Sequence, residues 1–304
     1  MRVTLRLALL LTAPPLLWAG NAVVGRMLVG SVPPLALNFL RWAIAAAILL
    51  PLGWRALRDP GAIAARWPYL LALGVLGVGT YNAMLYLALV TSTPINVTLI
   101  ASSMPVWMLA VGAIGFGVRP GARQAAGAVL SLAGAALVIA RGDFGALARV
   151  QLVAGDLYMV VAAIAWAIYS WLLVRPPASM RPPERPAWNW AEFLLIQALF
   201  GLLGAGAMAT GEAAFTDPAP IAWHDDRVLA ALAYVAIGPA IVAYRCWGLG
   251  VTEGGPALGA FFGNLTPLFT ALLSAALLGE APRAYHGAAF ALIVGGIVVS
   301  SARR

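Results

Sequence analysis

The chain has 304 residues, of which 62% are hydrophobic and only 10% charged, and its mean hydropathy is +0.90. A soluble globule carries roughly 25% charged residues, so a water-soluble domain of this length is excluded. The net charge of +8 comes from 19 basic residues, all of them Arg, against 11 acidic ones. With no polar surface to carry a basic patch, that excess speaks for membrane topology and against nucleic acid as a partner.

Apolar stretches of about 20 residues, the length that crosses a bilayer, fall at 4–28, 33–54, 67–91, 94–116, 122–140, 154–175, 189–210, 228–250, 255–278 and 284–302. The expected fold is therefore an all-α membrane protein of ten transmembrane helices, with short connections except at 176–188 and 211–226. The first stretch opens like a secretory signal after Arg2 and Arg6. It stays apolar past Ala19-Gly20 to Leu28, longer than a signal core, and is expected to persist as a helix. It carries Trp18 and Asn21 behind Pro14-Pro15; the second stretch has Asn38 and Arg41 three apart, hence on one face. The third holds Tyr81 and Asn82 after Gly74, Gly77 and Gly79. The fourth has Asn96, Thr98, Ser102 and Ser103 ahead of Pro105 and Trp107. In the second half come Trp166, Tyr169 and Ser170, then Gln197, then Gly238, Pro239, Tyr244, Arg245 and Trp247, and then Asn264, Thr266 and Pro267.

The chain carries one segment twice. Shifting by 162 positions lays Pro94 on Pro256, Pro105 on Pro267, Gly117 on Gly279, Pro120 on Pro282 and Gly134 on Gly296, with no gap. Residues 1–150 and 151–304 form the two expected repeats, and Trp18 matches Trp166. Five spans in each put the second copy into the membrane upside down, so the halves are inverted and a site is expected between them. The loop arginines agree with both termini in the cytoplasm. That placement puts Arg2, Arg6, Arg55, Arg58, Arg66, Arg119, Arg123, Arg175, Arg181, Arg185, Arg303 and Arg304 inside, against Arg141, Arg149, Arg227 and Arg283 outside.

The chain resembles the EamA-type members of the drug/metabolite transporter superfamily. The residues that carry the resemblance are Leu17-Trp18-Ala19-Gly20-Asn21, Leu40-Arg41-Trp42, Ser103-Met104-Pro105-Val106 followed by Gly117 to Pro120, Ala165-Trp166-Ala167-Ile168-Tyr169, Leu265-Thr266-Pro267-Leu268, and Leu278-Gly279-Glu280. Within that family it looks like the YddG-type aromatic amino-acid exporters. The resemblance implies a central cavity lined by helices 1–4 and 6–9, and export of small metabolites across the inner membrane.

Polar groups inside hydrocarbon normally face a cavity or a partner helix. The candidate solute-binding residues are Trp18, Asn21, Asn38, Arg41, Tyr81, Asn82, Ser102, Ser103, Trp166, Tyr169, Gln197, Tyr244 and Asn264. Each has a packing alternative, since membrane Ser and Thr often bond their own backbone and deep Trp rings also serve as core. Arg41 lies ~12 Å into its helix at 1.5 Å per residue, where it meets either a solute carboxylate or backbone carbonyls. Trp54, Trp67, Trp188, Trp190 and Trp223 read as interfacial anchors. Pro105, Gly238, Pro239 and Pro267 read as hinge or cavity-forming positions near mid-helix. Gly127, Ser131, Ala135 and Gly287, Ala291, Gly295 recur every four residues, as in closely packed helices, and that packing is expected within a monomer.

No metal-ligand spacing, nucleophile–base pair or P-loop is present, so neither a metal nor a cofactor is expected, and catalysis is not. Asp156, Glu192, Asp225, Asp226, Glu253 and Glu280 sit at or near helix ends, which leaves no mid-membrane carboxylate for a proton relay and favours gradient-driven export. Carriers of phosphorylated solutes or nucleotide sugars need several deep basic groups. Here Arg41 and Arg245 are the only candidates.

Overall fold

The computed structural model describes residues 3–28, 30–92, 97, 100–140, 142–143, 145, 153–216, 220–278 and 284–301. Pro94, Asn96, Thr98, Gly279, Glu280, Pro282 and the arginines Arg2, Arg141, Arg149, Arg283, Arg303 and Arg304 lie outside these. The described residues are all-helical, with no strand. The helices are α1 (Leu5–Met27), α2 (Pro34–Gly53), α3 (Pro60–Ala64), α4 (Trp67–Leu73), α5 (Tyr81–Thr91), α6 (Met104–Phe116) and α7 (Ala122–Ile139). The second half continues with α8 (Ala154–Val174), α9 (Trp190–Thr216), α10 (Asp226–Val235), α11 (Ala243–Gly254), α12 (Pro256–Gly263), α13 (Leu265–Leu278) and α14 (Ala284–Ser301).

Seven continuous helical runs among the described residues are long and apolar enough to cross a membrane: Leu5–Gly25, Pro34–Arg58, Trp67–Ala88, Ala122–Ile139, Ala154–Val174, Trp190–Thr216 and Asp226–Gly254. They make the chain a multi-pass membrane protein. Met104–Phe116 and Ala284–Ser300 are apolar but shorter. The stretch 255–278, expected as one helix, is two: α12 stops at Gly263 and α13 begins at Leu265. In the first half, helical residues 100–102 likewise give way at Ser103 before α6.

Two π-helical segments interrupt the longest runs, Gly74–Thr80 between α4 and α5 and Ala236–Val242 between α10 and α11. Their bounds differ by the same 162 positions that superpose the sequence repeats. The packing follows the duplication as well. The α5 helix lies on α8 while α11 lies on α1, and α6 lies on α8 while α13 lies on α1. The remaining two seams join counterparts directly, α2 with α9 and α7 with α14.

Both seams depend on glycine. In the α2–α9 seam a Cβ on Gly53 would sit 3.0 Å from the Ala191 carbonyl oxygen, and beside it one on Gly74, in the first π turn, would meet the Gly201 nitrogen of α9 at 2.6 Å. Between α7 and α14, a Cβ on Gly127 would meet the Gly296 oxygen at 2.7 Å, and one on Gly134 the Ala289 oxygen at 2.8 Å. The small-residue contact is thus internal to the chain, but the predicted register in α14 is off by one. Gly287 and Gly295 have nothing within 4 Å, and Gly296 makes the contact.

Hydrogen bonds between loops sort them into two ends. At one end Arg66 donates to the carbonyls of Ser179 and Glu184 at 2.8 and 2.6 Å, and Arg6 pairs with Glu253 at 3.9 Å. At the other, Ser92 donates to Asp156, which also accepts from the Val153 amide. There, too, α9 runs six residues beyond its expected end at 210, to Thr216. That extension carries Glu212, to which the sequence alone assigns no role. Its carboxylate accepts from the amides of Leu35 and Ala36 at 3.0 Å. Pro33 offers α2 no side-chain cap, so an acid from the other half satisfies its free N–H groups and complements its dipole.

Candidate functional site

The helix breaks of the two halves meet at one place. Ser102 and Asn264, related by the 162-residue shift, both line a cavity of about 90 Å³. Met104, Gly263, Thr266 and Pro267 complete the polar and broken side of its wall, while Trp18, Tyr81, Trp166 and Trp247 form the aromatic side. Pro105 and Pro267 therefore do not lie in mid-helix, and Pro267 is part of the cavity wall. Each occupies the first turn of a helix that restarts after a break, where a missing N–H costs nothing. Gly238 and Pro239 do lie inside a continuous run, in its π-helical segment.

Trp166 is the hub of the aromatic side. Its ring stands 5.2 Å from Trp18, 5.4 Å from Trp247, 5.1 Å from Tyr81, 5.0 Å from Tyr169 and 5.3 Å from Tyr244. Trp18 and Trp166, paired as repeat counterparts in the sequence, thus touch edge to face. The polar tips of this cluster are used on backbone that the π turns free. Tyr244 donates its hydroxyl to the Gly77 carbonyl, and Trp18 donates Nε1 to the Pro239 carbonyl at 3.3 Å. Gly77 and Pro239 are again 162 positions apart, and each carbonyl is held by a ring from the opposite half. Asn38 supports the first π turn further, donating Nδ2 to the carbonyls of Val78 and Gly79.

A second group lies behind Tyr244, whose ring is 4.7 Å from Trp42. Arg41 is 1% exposed and donates Nη1 to Asn82 Oδ1 at 2.9 Å. Among the described residues no carboxylate pairs with it. The Tyr244 ring touches Trp42 on one side and Trp166 on the other, so Tyr244 stands between the aromatic cavity and the arginine's neighbourhood.

The candidates thus separate into three sets. Trp18, Tyr81, Ser102, Trp166 and Asn264 line the cavity, with Tyr169 and Tyr244 packed behind Trp166. Arg41, Asn38 and Asn82 form the neighbouring group, and Asn21 is buried on α1. Ser103 and Gln197 lie away from the cavity wall. Ser103 donates to the Ile100 carbonyl and accepts from Trp107, fastening the helix break. Gln197 accepts from Tyr169 and donates to Phe193 of its own helix. Asn264 turns its amide to Ser131 at 2.9 Å, tying the break between α12 and α13 to α7. Trp42, Tyr86 and Met104 were not foreseen. For Trp42 the signal was its place beside Arg41, and for Tyr86 its place one turn after Asn82.

A larger cleft of about 380 Å³ opens at the end of the bundle that carries Pro120, Arg175 and Gly255. The α12 helix serves both spaces, with Ala257 and Phe261 on the cleft and Ala260 and Gly263 on the inner cavity. Trp171 walls the cleft and is held by donating Nε1 to the Met108 carbonyl at 2.8 Å.

Known proteins agree with this construction. The EamA-like transporter family matches the chain twice, over residues 5–140 and 153–302. An uncharacterized transporter of Archaeoglobus fulgidus is 26% identical over 298 residues, 97% of each chain. The aromatic amino acid exporter YddG of Ancylobacter novellus is 27% identical over 292 residues, 94% of this chain and 93% of that one. A solved crystal structure, 25% identical, superposes with a TM-score of 0.73 over 97% of both chains. With the family matched over both halves, the chain belongs to the EamA-like transporter family.

Proposed function

We propose that this protein exports amino acids or similar small metabolites across the inner membrane, by alternating access through the cavity between two inverted repeats, 1–150 and 151–304. In this reading the chain crosses the membrane ten times, with both termini in the cytoplasm. The broken segments 94–116 and 255–278 each count as one crossing. The observation that carries the reading is the meeting of both halves' helix breaks at the Trp166 cavity, since discontinuous helices at a repeat interface are where carriers bind solute. Aromatic walls with a few hydroxyl and amide groups suit a small amphipathic solute. The transporter names of the relatives, one an aromatic amino acid exporter, support the same substrate class.

A cavity of about 90 Å³ is below the roughly 300 Å³ where ligand sites begin. The rings around Trp166 must therefore separate to admit a solute, as a carrier passing through an occluded state requires. Among the described residues Arg41 is the one deep cation near the cavity, too few for a phosphorylated solute. Transport follows the solute gradient, because the buried acids Asp156 and Glu192 sit at helix starts rather than on the pathway.

Reconstituted protein, loaded with unlabelled solute and offered a panel of radiolabelled amino acids, should show counterflow of large neutral ones above protein-free vesicles. Absence of exchange for every member overturns the substrate class, and exchange that stops without a pH gradient overturns the coupling. Reporter fusions at the two termini should both read cytoplasmic; opposite sides would refute the inverted arrangement.

A further inference from the structure

Five buried polar atoms make no hydrogen bond among the described residues: Asn21 Oδ1, Asn38 Oδ1, Arg41 Nε, Trp42 Nε1 and Tyr86 OH. They belong to one neighbourhood. Asn38, Arg41 and Trp42 occupy little more than one turn of α2, and Tyr86 is one turn past Asn82, which holds Arg41. Gly25, one turn past Asn21, faces the Tyr86 ring, which a Cβ there would meet at 3.8 Å. All five residues are more than nine-tenths buried. Deep polar groups elsewhere are matched, Ser131 by Asn264 and Ser170 by Trp247. Unmatched groups at such depth are rare in folded proteins.

The unmatched set has a definite chemistry. Arg41 carries a full positive charge met only by one neutral amide and, at 5.7 Å, the Trp42 ring among the described residues. Its Nε and the indole N–H of Trp42 are donors with nothing to donate to. Asn38 spends its Nδ2 on the Val78 and Gly79 carbonyls, which fixes its oxygen as a free acceptor, and Asn21 adds a second. A simple anion would satisfy the donors but leave both amide oxygens facing negative charge. A simple cation would face the guanidinium. A group that bears both charges satisfies all of them.

We infer that this cluster is the head-group subsite for a zwitterionic α-amino acid, its carboxylate on Arg41 and Trp42 and its ammonium on the amide oxygens of Asn21 and Asn38. The inference rests on the transport reading above and narrows it to solutes that keep both charged groups. The Tyr244 ring lies between this subsite and the Trp166 cavity, in contact with Trp42 on one side and Trp166 on the other. A solute whose head reaches Arg41 places its side chain toward the aromatic wall once Tyr244 releases the Gly77 carbonyl.

The test is equilibrium binding to the full chain in lipid nanodiscs. Radiolabelled L-phenylalanine would be competed by L-phenylalanine, by phenethylamine, which lacks the carboxylate, and by 3-phenylpropionate, which lacks the ammonium. Each truncated compound should compete roughly tenfold to a hundredfold more weakly, the worth of a charge-assisted hydrogen bond. Arg41→Gln should weaken L-phenylalanine by the same factor, leave phenethylamine unchanged, and so erase the preference between them. Trp42→Phe, which removes the indole N–H together with its five-membered ring, should reduce that preference more mildly. It also serves if Arg41→Gln does not fold. Equal competition by all three compounds, or a variant that binds phenylalanine and keeps full discrimination, overturns the subsite alone. If the wild type binds none of them, the amino-acid reading itself falls, and the subsite with it.

Discussion

The α7–α14 seam and the cluster around Trp166 both lie where the two halves meet, and they are built in opposite ways. The seam has backbone against backbone, with Gly127 and Gly296 so close that neither tolerates a Cβ. The cluster has large rings at 5.0–5.4 Å around Trp166, tipped by hydrogen bonds to carbonyls that π turns have loosened. A glycine seam has one tight arrangement and resists sliding. Rings latched by single hydrogen bonds can turn to a second arrangement at modest cost, because another acceptor or water replaces each bond. A carrier needs both, a fixed join and a movable one.

Substitutions can break this contrast or sharpen it. The largest effect is expected from Gly296→Leu, whose side chain has only the α7 backbone to displace. It should cost roughly 3 kcal/mol, read as a lower melting temperature of the detergent-solubilised protein. Glu212→Ala comes next. Leaving the Leu35 and Ala36 amides without their carboxylate should cost about 2 kcal/mol, seen in the same melting assay. Tyr244→Phe should cost only about 1 kcal/mol of stability yet change counterflow severalfold, since it frees the Gly77 carbonyl. A larger loss of stability than of flux would make Tyr244 part of the fixed join instead. The smallest effect belongs to Gly295→Ala, next to Gly296 but with nothing within 4 Å. It should stay within about 0.5 kcal/mol, and a collapse like that of Gly296→Leu would restore the register first expected from sequence.

That register shows what a sequence carries and what it withholds. Spacing by four in α14 selects Gly287, Ala291 and Gly295, but Gly295 and Gly296 are adjacent, and only the position of α7 decides which one is buried. The duplication was fully legible, because matched prolines and glycines survive in order. The π turns share the same shift of 162 positions, but only the structure reveals them. The break at Gly263-Asn264 was not legible as such. An apolar run with one Asn reads as a continuous helix, and Pro267 reads as its kink rather than as the start of the next. The aromatic wall was legible through the deep Trp18 and Trp166. The partner of Arg41 was not, since Asn82 is 41 positions away and only the packing of α5 beside α2 brings it near. Glu212 escaped notice for the same reason, its role depending on an uncapped helix in the other half.

The paired π turns also set helical phase. Each takes more residues per turn than an α-helix just ahead of the helix that carries the inner rings, so Tyr81 and Asn82 follow one and Tyr244 and Trp247 the other. If the seven residues Gly74–Thr80 wound as an ordinary α-helix instead, everything downstream would rotate by roughly 100°, swinging Asn82 off Arg41 and Tyr81 off Trp166. The angular setting of each half is meshed with that of its counterpart like teeth on two gears, so both copies must keep the wide turn together.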